Sequence, residues 1–397
     1  MRPELLALLV CPACGGGLTL RPFERAAGGG DEVEEGALLC AACARAYPVT
    51  DGIPRLLPDA ARRHPAFYRR HGRELGTSAA GRPEAKTGRR FHRVHRLTAR
   101  AFGYEWNVYR TTSPEEDVLT FFWLTGTDPA LSSKLSVGDV FTHYPTAAEL
   151  GRIDASTLAG ATVVDVGCGM GKYLAVVSEH AKMVVGLDLS DALTRARRLL
   201  RDRTNVHLVQ GNILAAPLAP AAYDLVYSVG VLHHTPDARA AFLRSASLVK
   251  AGGRLAVWLY PAEDGAGRYA RAVRFLQDDL LRPLTCRMPP RLLRAVARGL
   301  GRLTVVRDRA AARYEATGSP LARAVALSAQ AVAVGRHRDP EIAAFLNFDW
   351  YAPQYRSYHT AGELWQWYDA ADFVDVTLLP QPVSAIGVRR GPDDGAS

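Results

Sequence analysis

The 397-residue chain has no apolar run approaching the roughly 18 to 20 residues that a membrane span requires. Its only apolar stretch near the start, Leu5 to Val10, is shorter than a secretory signal core and runs directly into Cys11 and Cys14. Cysteine is sparse, six residues in all, and the sequence reads as a soluble cytoplasmic protein with reduced thiols and no membrane partner. Acids are outnumbered, 40 against 49 basic residues for a net charge of +9, and lysine is scarce, so nearly all the positive charge is arginine. A coding bias toward arginine explains that balance as readily as an anionic partner does. Hydrophobic residues make up 48% of the chain, enough for one large core or two to three smaller ones, which excludes disorder over the whole length.

Four of the cysteines form two pairs, Cys11-Pro-Ala-Cys14 and Cys40-Ala-Ala-Cys43, separated by a Gly-rich acidic stretch from Gly28 to Gly36 that reads as a hairpin tip. Each C-x-x-C turn aims two thiolates at one point, and two such turns complete a closed, tetrahedral, structural zinc site. A thioredoxin-type redox motif needs a single pair beside a βαβ unit, which this segment lacks. So small a segment cannot build a sufficient core, and the metal would contribute on the order of 10 kcal/mol or more to its folding. With "CPACGGGL" at its start and "YPVTDGIPRLLP" (Tyr47 to Pro58) at its end, residues 1–58 resemble the small zinc-ribbon proteins that partner nucleic-acid and protein methyltransferases. That resemblance implies a methyltransferase context. From Ala60 to Arg100 arginines are opposed only by Glu74 and Glu84, so residues 59–100 read as a basic linker, helical at its ends. Residues 101–149 read as a helical or lid segment.

In "VVDVGCGMGKYLAVVS" (Val163 to Ser178), a buried strand ends in Asp165, followed by Gly167, Gly169 and Gly171 and a helix. Such a turn, outside the carboxyl end of a strand, is where ligands bind in open α/β sheets. A P-loop fails, because its first glycine would fall on Val166 and its hydroxyl residue on Tyr173. A dinucleotide fingerprint fails as well, with Lys172 at the third glycine. The remaining pattern, D-x-G-x-G-x-G, resembles the first motif of the class I methyltransferases, which bind S-adenosylmethionine. The resemblance implies that Asp165 faces the positive charge of that cofactor and that the glycines admit its methionine portion.

It further implies Asp188, at the end of "MVVGLDLS", as the acid for both ribose hydroxyls, with Leu189 beside it. Asn212 and Ile213, after "VHLVQG", would meet the adenine, Asn212 accepting through its amide oxygen. Ser228 and Val229 open the stretch to His234 that would lie under the cofactor. "LVKAGGRLAVWLY" supplies the fifth strand, and two antiparallel strands, Phe373 to Pro380 and Val383 to Arg390, would finish the sheet behind a helix capped by Thr360. The fold expected is therefore α/β: a Rossmann-like, seven-stranded class I methyltransferase sheet over residues 150–397, plus the N-terminal zinc ribbon. A helical cap insertion, about residues 261–346, would be broken at Pro283, Pro289-Pro290 and Pro320.

Two aromatic stretches, "FGYEWNVYR" (Phe102 to Arg110) and "NFDWYAPQYRSYHT" (Asn347 to Thr360), read either as a lid over the cofactor or as packing between cap and core. Transfer from a sulfonium needs orientation more than acid–base help, about 7 to 11 kcal/mol of it. For a hydroxyl acceptor a histidine base would add about 10²- to 10⁴-fold, and His233, His234 and His359, with His143, are the candidates. Cys168 reads as a small loop residue and Cys286 as a buried thiol. The sequence thus predicts an S-adenosylmethionine-dependent methyltransferase acting on a small-molecule acceptor by in-line displacement. An RNA methyltransferase using ribbon and basic linker, and a non-catalytic cofactor-binding regulator, stand as alternatives; no N-P-P-[YF] tetrapeptide follows the fourth strand.

Overall fold

The computed structural model describes residues 1–26, 30–75, 88–108, 153–262, 267–335, 337, 339–379 and 381–391. Val163, Val164 and Val166 are almost wholly buried in strand β5, as are Val184 and Val185 in β6 and Leu225 and Val226 in β8. Parallel strands covered on both faces need continuous apolar runs of this kind rather than alternation. The strands are β1 (Leu18–Arg25), β2 (Val33–Cys40), β3 (Ala46–Thr50), β4 (Ile53–Leu56), β5 (Thr162–Val166), β6 (Met183–Asp188), β7 (Val206–Gly211), β8 (Tyr223–Val229), β9 (Val249–Trp258), β10 (Phe373–Leu378) and β11 (Ser384–Arg389). They form one sheet in the order β1-β2-β3-β4-β7-β6-β5-β8-β9-β11-β10.

Strands β5 to β9 are mutually parallel, and the order reverses at β5, with β6 on one side and β8 on the other. A crevice at such a switch point is where this architecture binds ligands. Of the two closing strands only β11 runs against the sheet. It pairs antiparallel with both β9 and β10, so β10 runs with the parallel set rather than against it. The first four strands do not stand apart: β4 lies parallel to β7, Arg55 opposite Gln210 and Leu56 opposite Gly211. The pairing covers an edge that would otherwise present free backbone groups, and it buries Ile53 and Leu56 completely.

Helices are α1 (Pro65–Leu75), α2 (Gly88–Val108), α3 (Lys172–Val177), α4 (Leu193–Leu199), α5 (Ala238–Leu248), α6 (Arg268–Arg274), α7 (Pro290–Thr317), α8 (Pro320–Gln330), α9 (Pro340–Tyr351) and α10 (Ala361–Ala370). Thr360 caps α10 in a reciprocal box with Glu363, Oγ1 accepting from the Glu363 amide at 3.1 Å and Oε2 from the Thr360 amide at 2.8 Å. Pro290, Pro320 and Pro340 each open a helix, where a missing N–H has no cost. Pro283 lies within a short helical turn, Arg282–Thr285, that continues a π-helical one, Phe275–Leu281.

The chain divides into two compact units. One holds residues 1–89, 114–261 and 357–397, so ribbon and sheet share it; the other holds 90–113 and 262–356. In the second, helical unit α7 crosses α9 so closely at Gly301 that a Cβ there would lie 2.4 Å from the Pro340 carbonyl oxygen. Its core gathers Leu293, Ala297, Ala344, Phe348 and Tyr351. Within that unit Glu105 is fully buried, and neither carboxyl oxygen is hydrogen-bonded to a described residue. Burial, reinforced by Asp349, raises its pKa well above the ordinary carboxylate value.

At the junction of ribbon and sheet, His207 on β7 is 4% exposed, 3.8 Å from Glu4. Burial depresses its pKa to about 4, against the opposing pull of Glu4. The unfolded chain takes up that proton first, near pH 6.5, so stability present at neutral pH is lost as pH falls from about 6.5 toward about 4. Urea denaturation at pH 7 and pH 4.5 should show the wild type losing on the order of 2 kcal/mol more than His207→Gln; equal losses would contradict the assignment.

Candidate functional site

The two C-x-x-C turns converge. Among the described residues the sulfur atoms of Cys11, Cys14, Cys40 and Cys43 all lie within 4.8 Å of one another, Cys11 to Cys43 at 3.6 Å and Cys14 to Cys40 at 3.4 Å. Four sulfurs about 2.3 Å from a common tetrahedral centre would stand roughly 3.8 Å apart, so the donor set fits zinc in both chemistry and size. Each turn is closed by a left-handed residue after its second cysteine, Gly15 at φ 74° and Ala44 at φ 55°. The Tyr47 hydroxyl lies 3.4 Å from the Cys11 sulfur, a hydrogen bond in the layer behind the donors.

Asp165 sits at the carboxyl end of β5, 2% exposed, and its Oδ2 makes no hydrogen bond to a described residue. Burial drives its pKa well up, and Asp188 adds to that, while Tyr227 and Lys172 oppose. A buried acid left with an open acceptor suits a cationic or hydrogen-bond-donating ligand group. Beyond it the chain turns through Gly167, Gly169 and Gly171 at φ 86°, 53° and 83°. The glycines are demanded first by the protein itself. A Cβ at Gly167 would lie 2.4 Å from the Val231 side chain, and one at Gly171 2.7 Å from Leu200. Cys168 is buried under the loop.

Asp188 ends β6 and ties the neighbouring loops together. Its Oδ2 accepts from the Gly169 amide at 2.9 Å, and its Oδ1 from both the amide and the hydroxyl of Ser190 at 2.7 Å. Burial raises its pKa, and these three bonds resist that rise. The loop that follows is held from behind by Gln210, whose Nε2 lies 3.4 Å from the Leu189 carbonyl, 3.2 Å from that of Ser190 and 3.0 Å from Asp191 Oδ1. Arg55 of β4, 3% exposed, reaches Gln210 Oε1 at 3.4 Å and is anchored through its Nε to Thr50 Oγ1 at 3.0 Å. A continuous polar chain therefore runs from the ribbon to the glycine turn. Arg55, Gln210 and Ser190 carry no motif, and only the β4–β7 pairing brings the first two together.

Asn212 stands beyond β7, but its Oδ1 already accepts from the Leu214 amide at 3.0 Å as a helix cap, leaving one lone pair for a ligand. Ile213 is buried beside it. Ser228, fully buried, donates to the Val166 carbonyl at 2.9 Å and so stitches β8 to β5; Val229 follows at the strand end.

His233, His234 and His359 come together around Tyr260, at 0%, 7% and 9% exposure. The His233 ring stacks on Tyr260 with centroids 3.8 Å apart, and its Nδ1 accepts from the Tyr260 amide at 3.3 Å. That bond puts the proton of neutral His233 on Nε2. The His234 ring meets Tyr260 edge-on at 5.3 Å. The segment Ser357–His359 runs alongside, the Ser357 amide donating to the His233 carbonyl at 3.0 Å and the His359 amide to that of Tyr260 at 2.9 Å. His359 Nε2 is 2.8 Å from Ser357 Oγ, and burial lowers its pKa while Glu363 raises it. Tyr260 was not visible as a site residue, because nothing in its local sequence marks it. His143 lies outside the described residues.

Up to Arg356 the described parts of the aromatic stretches pack within the helical unit: Tyr104 against Phe348 with centroids 6.0 Å apart, and Trp106 against Phe345 at 5.6 Å. Arg356 lies over the Trp350 ring at 4.0 Å and pairs with Asp278 at 3.1 Å. Tyr109 and Arg110 fall outside the described residues. Cys286 is buried in the same unit.

Comparison with known proteins agrees with this geometry. Residues 164–257 match the family described as methyltransferase domain, and residues 2–52 match Trm112p-like protein. A ubiquinone biosynthesis O-methyltransferase of Stutzerimonas stutzeri is 30% identical over 102 residues, 25% of this chain and 44% of the relative. A tRNA U34 carboxymethyltransferase of Photorhabdus laumondii is 40% identical over 84 residues, 20% of this chain and 26% of the relative. A solved S-adenosylmethionine-dependent methyltransferase of Mesorhizobium loti is 30% identical, with 26% of this chain and 52% of that one covered and a TM-score of 0.25. The chain spans about half or less of the length of the curated relatives it matches. Strand order, glycine turn and four-cysteine cluster converge with the two family matches: residues 164–257 form a methyltransferase domain of Rossmann-like fold, and residues 2–52 a Trm112p-like module.

Proposed function

We propose that this protein transfers a methyl group from S-adenosylmethionine to a small, uncharged or weakly polar acceptor. One observation carries the choice of acceptor: the wall formed by His233, His234, Tyr260, Tyr358 and His359 is aromatic, its histidines buried and its tyrosines half-buried, with no arginine or lysine among those five. Such a wall stacks on a planar or apolar molecule and offers no cation to a phosphate backbone. The cofactor, when bound, supplies an activated methyl group. Asp188 would hold the ribose with its remaining lone pairs, Asn212 and Ile213 the adenine, and Asp165 the amino end, with Gly167, Gly169 and Gly171 forming the turn and Leu189, Ser228 and Val229 the floor. The chain's work is then orientation, which by itself is worth about 7 to 11 kcal/mol.

His359 is the best placed of the three histidines to take a proton. Its Nε2 is held by Ser357, and burial lowers its pKa from the ordinary value against the opposing pull of Glu363. His233 and His234 serve as packing for Tyr260. The name of one relative, a tRNA enzyme, together with the net charge of +9 favours RNA as a second reading. Salt-sensitive binding of RNA would support it, since phosphate contacts release counterions.

Titration calorimetry with S-adenosylhomocysteine tests the cofactor site directly. Wild type is expected to bind, Asp188→Ala to bind about tenfold or more weakly, and Asp188→Asn to fall between them. Unchanged affinity in a folded Asp188→Ala protein would refute the site. Gln210→Leu is expected to weaken binding about three- to tenfold and to speed hydrogen exchange at the Ser190 amide, leaving exchange in β5 unchanged. We also assign a structural zinc ion to Cys11, Cys14, Cys40 and Cys43. Elemental analysis should find one zinc per chain, and chelation should lower the melting temperature; metal-free protein that melts like the untreated sample would count against it.

A further inference from the structure

The helical unit carries a feature that methyl transfer does not use. Between Arg268 and Val332 stand thirteen arginines and four carboxylates, Asp278, Asp279, Asp308 and Glu315. That is a net excess of +9 within this stretch; the linker from Ala60 to Arg100 is basic as well, and the remaining residues are net acidic. The same helices expose large aliphatic side chains to solvent: Leu321 at 75%, Leu284 at 64%, Leu292 at 53% and Val306 at 47%.

The two properties are ordered on α7. Its inner stripe is Leu293, Ala297, Gly301 and Thr304, all buried. Leu292, Val296 and Val306 recur at i, i+4 and i+14 on the outer side, all exposed. Arg302, Arg309 and Arg313 repeat at i, i+7 and i+11 and are exposed too, roughly a quarter-turn from the aliphatic stripe at 3.6 residues per turn. Arg323 at the start of α8 lies over Tyr314 at 5.5 Å, beside exposed Leu321.

We propose that the outer face of α7, with Leu321 of α8, is a peripheral docking surface for an anionic lipid bilayer. The aliphatic side chains enter the headgroup boundary, and the flanking arginines pair with lipid phosphates. Charge selects this occupant over the others. A second copy of the chain would bring the same arginines against themselves, and RNA would meet the arginines but leave the leucines and valines in water, having no apolar tails to receive them. No helix among the described residues is long and apolar enough to cross a membrane, so the contact is one of surface and not of insertion.

Flotation of the full chain with vesicles decides the matter. Wild type should rise with mixed phosphatidylglycerol–phosphatidylcholine vesicles, stay behind with pure phosphatidylcholine, and detach as salt is raised. Arg302→Gln and Arg309→Gln should each lower the partition coefficient about fivefold. Leu292→Gln and Leu321→Gln, at exposed positions, should lower it as well without moving the melting temperature. No recovery on anionic vesicles, or equal recovery on both kinds, overturns the proposal. Loss in the arginine variants with none in the leucine variants also overturns it, because the face would then be a general polyanion site. Sedimentation velocity showing a dimer that Leu292→Gln dissolves, in protein that does not float, would assign the face to a second copy instead.

Discussion

The Asp188 carboxylate is the joint on which the candidate site depends. It accepts from Gly169 in one loop and twice from Ser190 in the next, so the turn after β5 and the turn after β6 hold their shapes through one buried side chain. Removing water from a carboxylate is costly unless its lone pairs are used, and here three donors answer that cost before any ligand arrives. The acid is thus a part of the scaffold as well as a proposed contact for ribose. Its neighbour Asp165 is the counterpart, buried with one oxygen that no described residue bonds.

The same joint reaches the N-terminal module. Gln210 holds the loop behind Asp188, Arg55 holds Gln210, and Arg55 is in place only because β4 lies parallel to β7. Four antiparallel strands that rest on a cluster of cysteines have become the edge of the sheet that carries the site. The module shares one hydrophobic core with the sheet, Leu5, Leu9, Leu38, Val49 and Leu56 joining Val164, Val185 and Val209, so the cysteine turns rest on the same core that carries the site. Edge protection and site support are achieved by one pairing.

Local chemistry was readable in advance wherever it lies close in the chain. The two C-x-x-C pairs, the acid and three glycines after β5, Asp188 at a strand tip and the Thr360 cap are each a matter of a few residues in fixed order. Their reasons were read less well. Gly167 and Gly171 are required because Val231 and Leu200 fill the space where a Cβ would stand, a fact about residues some 30 to 60 positions away. Asn212 has the amide expected to face a ligand, yet it spends one lone pair capping its own turn. The expected pair of antiparallel closing strands is one antiparallel strand, β11, threaded between β9 and β10.

By itself, then, the sequence determined which segments are buried strands, where the glycine turns follow them and which cysteines belong together, since hydrophobic runs, glycine positions and short spacings act within a few residues. Only tertiary structure decided what those elements meet. It set Arg55 against Gln210, grouped His233, His234 and His359 around an unmarked Tyr260, and drew α2 into one unit with a helical insertion more than 150 residues later. It also decided that the arginines of that insertion share its outer surface with exposed leucines. These are contacts between distant stretches of chain, fixed by the packing of the whole and carried by no local pattern.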